Sequence, residues 1–152
     1  MDATDQTPNE PVDVLIVEDN PGDIRLTKEA FRSIQSDVRF HTAKDGGIAV
    51  DYLQECERSG EDPFPDLVFL DLNLPRVSGH EFLSTLEDDC NHPAPPVLVL
   101  SSSHDPDDII RSYERSANAY LTKPSSPTEY ETLAEAIEAF WIDTAQHPPA
   151  PA

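Results

Sequence analysis

Leu67-Val68-Phe69-Leu70-Asp71 is apolar at every position until it stops on a carboxylate. A strand with one face in water alternates, whereas a strand covered on both faces reads as a continuous apolar run. These residues therefore predict a central strand of a parallel sheet. Three more runs end in the same manner. Val12–Val17, interrupted only by Asp13, stops at Glu18-Asp19; Val97–Leu100 stops at Ser101; and Ala119–Leu121 leads through Thr122 to Lys123. As parallel strands, these runs bring an acid pair, a lone carboxylate, a hydroxyl and an amine to one edge of a sheet. That edge is where open α/β sheets bind their ligands.

The intervening segments have helical spacing and helical starts. Asn20-Pro21 supplies an N-cap and a proline at the first helical position, with Asp23 on the positive end of the dipole, ahead of a stripe of Ile24, Thr27, Phe31 and Ile34. Val38–Thr42 alternates and reads as a half-exposed edge strand. Ile48, Ala49, Tyr52, Leu53 and Cys56 form a second stripe. Ser78 with Glu81 is a capping-box pair ahead of Phe82, Leu83 and Leu86. Asp105-Pro106 caps a helix carrying Ile109, Ile110 and Tyr113, and Ser126-Pro127 with Glu129 starts a last helix whose stripe is Tyr130, Leu133, Ile137, Phe140 and Trp141. Five strands alternating with five helices predict a doubly wound, three-layer α/β sandwich of (βα)5 type. Strand order 2-1-3-4-5 is the simplest that gathers the polar ends, with the switch point between strands 1 and 3. Residues 12–142 form the expected domain, and 1–11 and 143–152 read as polar or Pro/Ala-rich tails.

Composition narrows the partners. Of 152 residues, 30 are Asp or Glu and only 10 are Lys or Arg, for a net charge of −20. Such a surface disfavours nucleic acid, whose phosphates require bases, and anionic membranes. Self-repulsion of this size is relieved where molar salt shortens the screening length to ~3 Å, so a halophilic cytoplasm is the expected setting. Cys56 and Cys90 match no disulfide framework or metal spacing, and Cys56 falls on an apolar helical face. No signal peptide, lipidation motif or membrane-length apolar stretch is legible.

The polar edge has its own chemistry. Carboxylates about 4 Å apart repel by ~4 kcal/mol per pair at an effective dielectric near 20, so Glu18, Asp19 and Asp71 must hold protons or share a cation. Hard oxygens in an open site suit Mg²⁺. A carboxylate can attack phosphorus to form an aspartyl phosphate, with Lys123 and Ser101 placed to bind phosphoryl oxygens.

Glu18-Asp19-Asn20-Pro21, Phe69–Pro75, the Leu98–Ser102 segment and Ala119–Pro124 together resemble the receiver domain of two-component response regulators, over roughly residues 12–142. The spacing agrees: Ser101 lies thirty positions and Lys123 fifty-two positions after Asp71. The resemblance implies a flavodoxin-like fold and a switch that is not an enzyme beyond its own phosphotransfer and dephosphorylation. It implies Asp71 as acceptor of a phosphoryl group from a sensor histidine kinase, and Mg²⁺ held by Glu18, Asp19, Asp71 and the backbone carbonyl of Asn73. It further implies Ser101 and Lys123 as phosphoryl contacts, Tyr120 as an aromatic switch moving with Ser101, and a cis peptide bond before Pro124. The Asn20–Thr27 segment and the Phe140-Trp141 pair look like the single-domain receivers that serve phytochrome-type kinases, some of which pair through the last strand and helix. On this resemblance output is a change in partner affinity or self-association, or onward relay of phosphate, because no output domain is legible after Trp141.

Three rival readings stand beside this one, the interaction module being the strongest. An aspartyl-nucleophile phosphatase wants a second acid two residues after its nucleophile, where this chain has Asn73. A flavin module needs a Ser/Thr/Gly-rich phosphate loop where Glu18-Asp19-Asn20-Pro21 stands. An interaction module that is never phosphorylated accounts for the fold but leaves the acid pair, Ser101 and Lys123 unused.

Overall fold

The computed structural model describes residues 11–59, 64–89, 95–115 and 117–142. The expected tails at 1–11 and 143–152, apart from Pro11, lie outside the described residues, as do Cys90 and much of the acidic Asp88–Pro96 segment.

Five strands, β1 (Val12–Val17), β2 (Val38–Ala43), β3 (Leu67–Leu70), β4 (Val97–Ser101) and β5 (Ala119–Thr122), alternate with α1 (Pro21–Ala30), α2 (Gly46–Ser59), α3 (Gly79–Asp89), α4 (Pro106–Glu114) and α5 (Pro127–Ile137). All strand pairs are parallel, and the sheet order is β2-β1-β3-β4-β5. The expected order and switch point are thus observed. β3 and β4 are buried at every residue, as continuous apolar runs require.

The pleat divides the core into two layers. Leu15, Val17, Val68, Leu70, Val97 and Val99 face Leu53 of α2 and Phe82, Leu83 and Leu86 of α3. Val14, Ile16, Leu67, Phe69 and Leu98 face Ile24 of α1 and Tyr130, Ala134 and Ile137 of α5, with Phe31 closing the end. Burial of these side chains contributes roughly 1.5–3 kcal/mol for each large aliphatic or aromatic residue.

Helix starts follow the sequence. Asn20 Oδ1 accepts from the Gly22 and Asp23 N–H groups, Asp105 Oδ1 from Asp107 N–H and Ser126 Oγ from Glu129 N–H. Ser78 and Glu81 cap each other reciprocally, at 2.9 and 3.2 Å. Four expectations fail. No peptide bond is cis among the described residues, so the bond before Pro124 is trans. Ile48 of the second stripe is 47% exposed. Phe140 was expected on the buried stripe of α5, but that helix ends at Ile137 and continues as a π turn over Glu138–Ile142. The wider turn rotates Phe140 to 57% exposure, edge-on to Trp141. The α4 residues Ile110 and Tyr113 are likewise half exposed, so this short helix is the least embedded of the five.

Candidate functional site

The sheet ladder extends one residue beyond the strand ends, and those residues carry the site. Glu18 N–H donates to the Ala43 carbonyl, Asp71 N–H to the Val17 carbonyl and Lys123 N–H to the Ser101 carbonyl, at 3.0, 3.0 and 2.9 Å. Glu18, Asp71 and Lys123 are therefore placed by backbone bonds as fixed as the strands themselves.

Their side chains meet. Lys123 Nζ lies 2.9 Å from Glu18 Oε1, 2.7 Å from Asp23 Oδ2 and 3.3 Å from Asp71 Oδ2. The Glu18 and Asp71 side chains are each 7% exposed and Lys123 11%, so one ammonium serves acids with little water. Burial raises the Glu18 carboxyl most; the Lys123 hydrogen bond lowers it and the Asp71 charge raises it again, leaving it at about 7. Burial also works against the Lys123 ammonium, but hydrogen bonds to Asp23 and Glu18 and the Asp71 charge prevail and hold it above the ordinary lysine value.

Asp19 is exposed and completes the acid group. One oxygen from each of Glu18, Asp19 and Asp71 can lie within 4.8 Å of the others. Three converging carboxylate oxygens with an open side fit a hard divalent cation that keeps part of its water shell. Asn73, which follows two residues after Asp71, donates its N–H to Asp71 Oδ1 at 3.3 Å. The loop is held tightly beneath: a Cβ on Gly79 would lie 2.7 Å from the Asp71 carbonyl oxygen and 2.7 Å from Leu72 Cα. Arg76, in the same loop, takes the left-handed region at φ 61° and grips buried Asp45 through Nη2 at 2.6 Å. The Ile48 N–H and then the Arg76 hydrogen bond keep Asp45 below the ordinary aspartate range.

Ser101 and Tyr120 meet at a second centre. The fully buried Ser101 hydroxyl accepts from Ser103 N–H at 3.1 Å. The Ser103 carbonyl accepts from the Tyr120 hydroxyl at 2.9 Å, and Ser103 Oγ donates to Asp108 Oδ2 at 2.7 Å. His80 Nε2 of α3 lies 3.3 Å from Asp108 Oδ1. The β4–α4 loop thus joins the Ser101 hydroxyl, β5, α3 and α4 through one residue, Ser103. The sequence reading missed Asp23 at the first centre and Ser103, Asp108 and His80 at the second. Asp23 was read only as a dipole partner, and the other three were not singled out; none bears a local signal of its partner.

This combination of sheet order, acid group, lysine and hydroxyl defines a receiver domain. The chain belongs to the response regulator receiver domain family, whose model matches residues 14–137. It is 37% identical over 142 residues to the response regulator Rcp1 of Synechocystis sp., spanning 93% of this chain and 97% of that protein. The crystal structure of the Mn²⁺-bound form of Rcp1 superimposes with a TM-score of 0.80 at 36% identity, covering 91% of this chain and all of that one. The phosphorylated cyanobacterial phytochrome response regulator RcpA gives a TM-score of 0.83 at 36% identity, covering 92% of this chain and all of its own. Among the described residues no helix is long and apolar enough to cross a membrane.

Proposed function

We propose that this receiver accepts a phosphoryl group on Asp71 from a sensor histidine kinase, of the phytochrome-associated kind, and signals by changed partner binding or self-association. A carboxylate oxygen of Asp71 attacks phosphorus, forming the O–P bond as the bond to the donor's imidazole nitrogen breaks. The observation that carries the reading is the shared ammonium: Lys123 Nζ stands 3.3 Å from Asp71 Oδ2 while anchored on Glu18 and Asp23. A cation so held binds a phosphoryl oxygen on Asp71 without reorganising. The Ser101 hydroxyl takes a second oxygen by leaving Ser103, which in turn loosens the Tyr120 contact and biases α4 and β5 toward a second conformation.

Glu18, Asp19 and Asp71, with the Asn73 carbonyl, are the ligands for Mg²⁺. When bound, such an ion supplies neutralisation of phosphoryl charge. The Mn²⁺-bound form of Rcp1 and the phosphorylated form of RcpA support both parts of this reading. Exposed Phe140 beside Trp141 supports self-association through the last helical turns. The charge of −20 supports a setting in a salt-rich cytoplasm and disfavours nucleic acid as a target; a melting temperature flat from millimolar to molar KCl would remove the halophilic part.

The test is incubation with acetyl phosphate and Mg²⁺ followed by intact mass measurement. One phosphoryl adduct is expected on the wild type and none on Asp71→Asn. An adduct that persists in Asp71→Asn refutes the acceptor assignment.

A further inference from the structure

Four of the ten Lys and Arg residues lie together, away from the acceptor site: Arg25, Lys28, Arg32 and Lys44 line one groove of about 370 Å³ between α1 and the edge strand β2. Lys28 and Arg32 also rim a neighbouring groove of about 450 Å³, whose walls include Phe31, Ile34, Val38 and Phe40. The two share a boundary and form one trough with an apolar end and a basic rim. At 100° per residue, Arg25 and Lys28 lie roughly 200° and 140° around α1 from Asp23, so this face is turned away from Lys123 and Asp71.

The charges in the trough are free. Arg39, Arg58, Arg76 and Lys123 are each paired with a carboxylate. Among the described residues none of the four trough cations is held in an ion pair. Only Glu29 and Asp37 bring acid to the lining. Like charges three and four residues apart on a helix repel. In a chain with three acids for every base, the sequence could have dispersed or paired them. Their grouping beside the edge strand β2 sets a basic rim against an apolar floor on one surface.

We propose that the trough docks an acidic amphipathic segment of a partner protein, with apolar side chains over Phe31 and Phe40 and carboxylates against Lys28, Arg32, Arg25 and Lys44. Charge complementarity sets the choice: four unpaired cations attract such a segment, while a chain of net charge −20 disfavours it over most of the remaining surface. The inference is independent of phosphorylation at Asp71.

The probe is a fluorescein-labelled helical peptide with leucines at helical spacing and glutamates elsewhere, titrated with the full chain and followed by anisotropy in ~0.15 M and ~1 M KCl. Saturable binding is expected, weaker at the higher salt. Lys28→Glu with Arg32→Glu should weaken it by about tenfold or more, while Arg111→Glu with Arg115→Glu, the same charge change on and just past α4, should leave it nearly unaltered. Amide shifts on binding should be confined to residues 24–44. Equal binding of a glutamine-for-glutamate peptide, equal loss in the Arg111/Arg115 variant, or shifts elsewhere would overturn the proposal. So would tighter binding of single-stranded DNA to the same residues. Self-association that Arg32→Glu abolishes would assign the trough to a second copy and overturn it too.

Discussion

Asp23 Oδ2 and Lys123 Nζ lie 2.7 Å apart, closer than Lys123 lies to either Glu18 or Asp71. The ammonium is therefore held from α1 as well as from the sheet edge, and Asp23 is a positioning residue for it. The two side chains have opposite electrostatic effects on a cation at Glu18, Asp19 and Asp71. A unit charge about 5 Å away is worth ~3 kcal/mol at an effective dielectric near 20. Lys123→Met should tighten Mg²⁺ binding by up to about a hundredfold, and Asp23→Asn should weaken it, as read by calorimetric titration. If both substitutions weaken binding, the shared-charge account of the pocket fails.

Glu18 predicts a pH dependence of stability. Its carboxyl stands at about 7 in the fold against an ordinary 4.5. Between those values the folded chain holds a proton that the unfolded chain has released, so this contribution is complete below pH 4.5 and is lost as pH rises through 7. The full loss is up to about 3 kcal/mol. In chelator, Glu18→Gln should match the wild type near pH 4.5 and melt higher at pH 8. Thermal melts across that range check it, and a constant offset between the two proteins would exclude burial of the charge as the cause.

Ser103 holds four contacts: its N–H donates to Ser101, its carbonyl accepts from Tyr120, and its hydroxyl donates to Asp108 and accepts from the Asp105 N–H at the start of α4. Its hydroxyl, followed by the His80 contact and against the opposing effect of burial, keeps Asp108 below the ordinary aspartate value of 3.8, so the stabilisation is present above that pH and is lost as pH falls through the lower folded value. Ser103→Ala should cost about 1 kcal/mol near neutral pH and speed amide exchange in α4. Combined with Asp108→Ala it should cost less than the sum of the two single changes. Strict additivity would show that the hydroxyl and carboxylate are not coupled.

The fold was legible because its signals are local. Leu67–Leu70 is apolar throughout and is buried throughout, and each of the four caps read from sequence makes its hydrogen bond. Strand endings then bring Glu18, Asp71 and Lys123 together without further information. Asp23 was not legible in this way: it meets Lys123 across 100 residues, and beside Asn20-Pro21 its sequence context says only helix start. Phe140 was misplaced because helical periodicity assumes a constant turn, and the π turn after Ile137 breaks it. The trans bond before Pro124 overrides an expectation drawn from resemblance, with no local residue signal behind it.

Gly79 offers a test of how closely the acceptor is supported from below. Its N–H donates to the Leu72 carbonyl at 3.2 Å, which draws the start of α3 against the chain just after Asp71. A Cβ there meets backbone on two sides, the Asp71 carbonyl oxygen and Leu72 Cα, both at 2.7 Å, and neither can swing away as a side-chain end would. Gly79→Ala must therefore part α3 from the β3–α3 loop. Overpacking of this kind costs roughly 1–3 kcal/mol, against the few tenths to 1 kcal/mol that alanine gains over glycine within a helix. A net loss of stability is expected. The more telling readout is chemical. Displacing the Asp71 backbone moves its carboxylate relative to Lys123, which is fixed separately through Ser101, so phosphoryl uptake from acetyl phosphate should slow even at temperatures where the variant is fully folded. Gly22→Ala is the control, because its Cβ would meet only the Asn20 side chain, at 3.2 Å. If Gly79→Ala takes up phosphate at the rate of the wild type, the close approach beneath Asp71 is not what sets the acceptor's position.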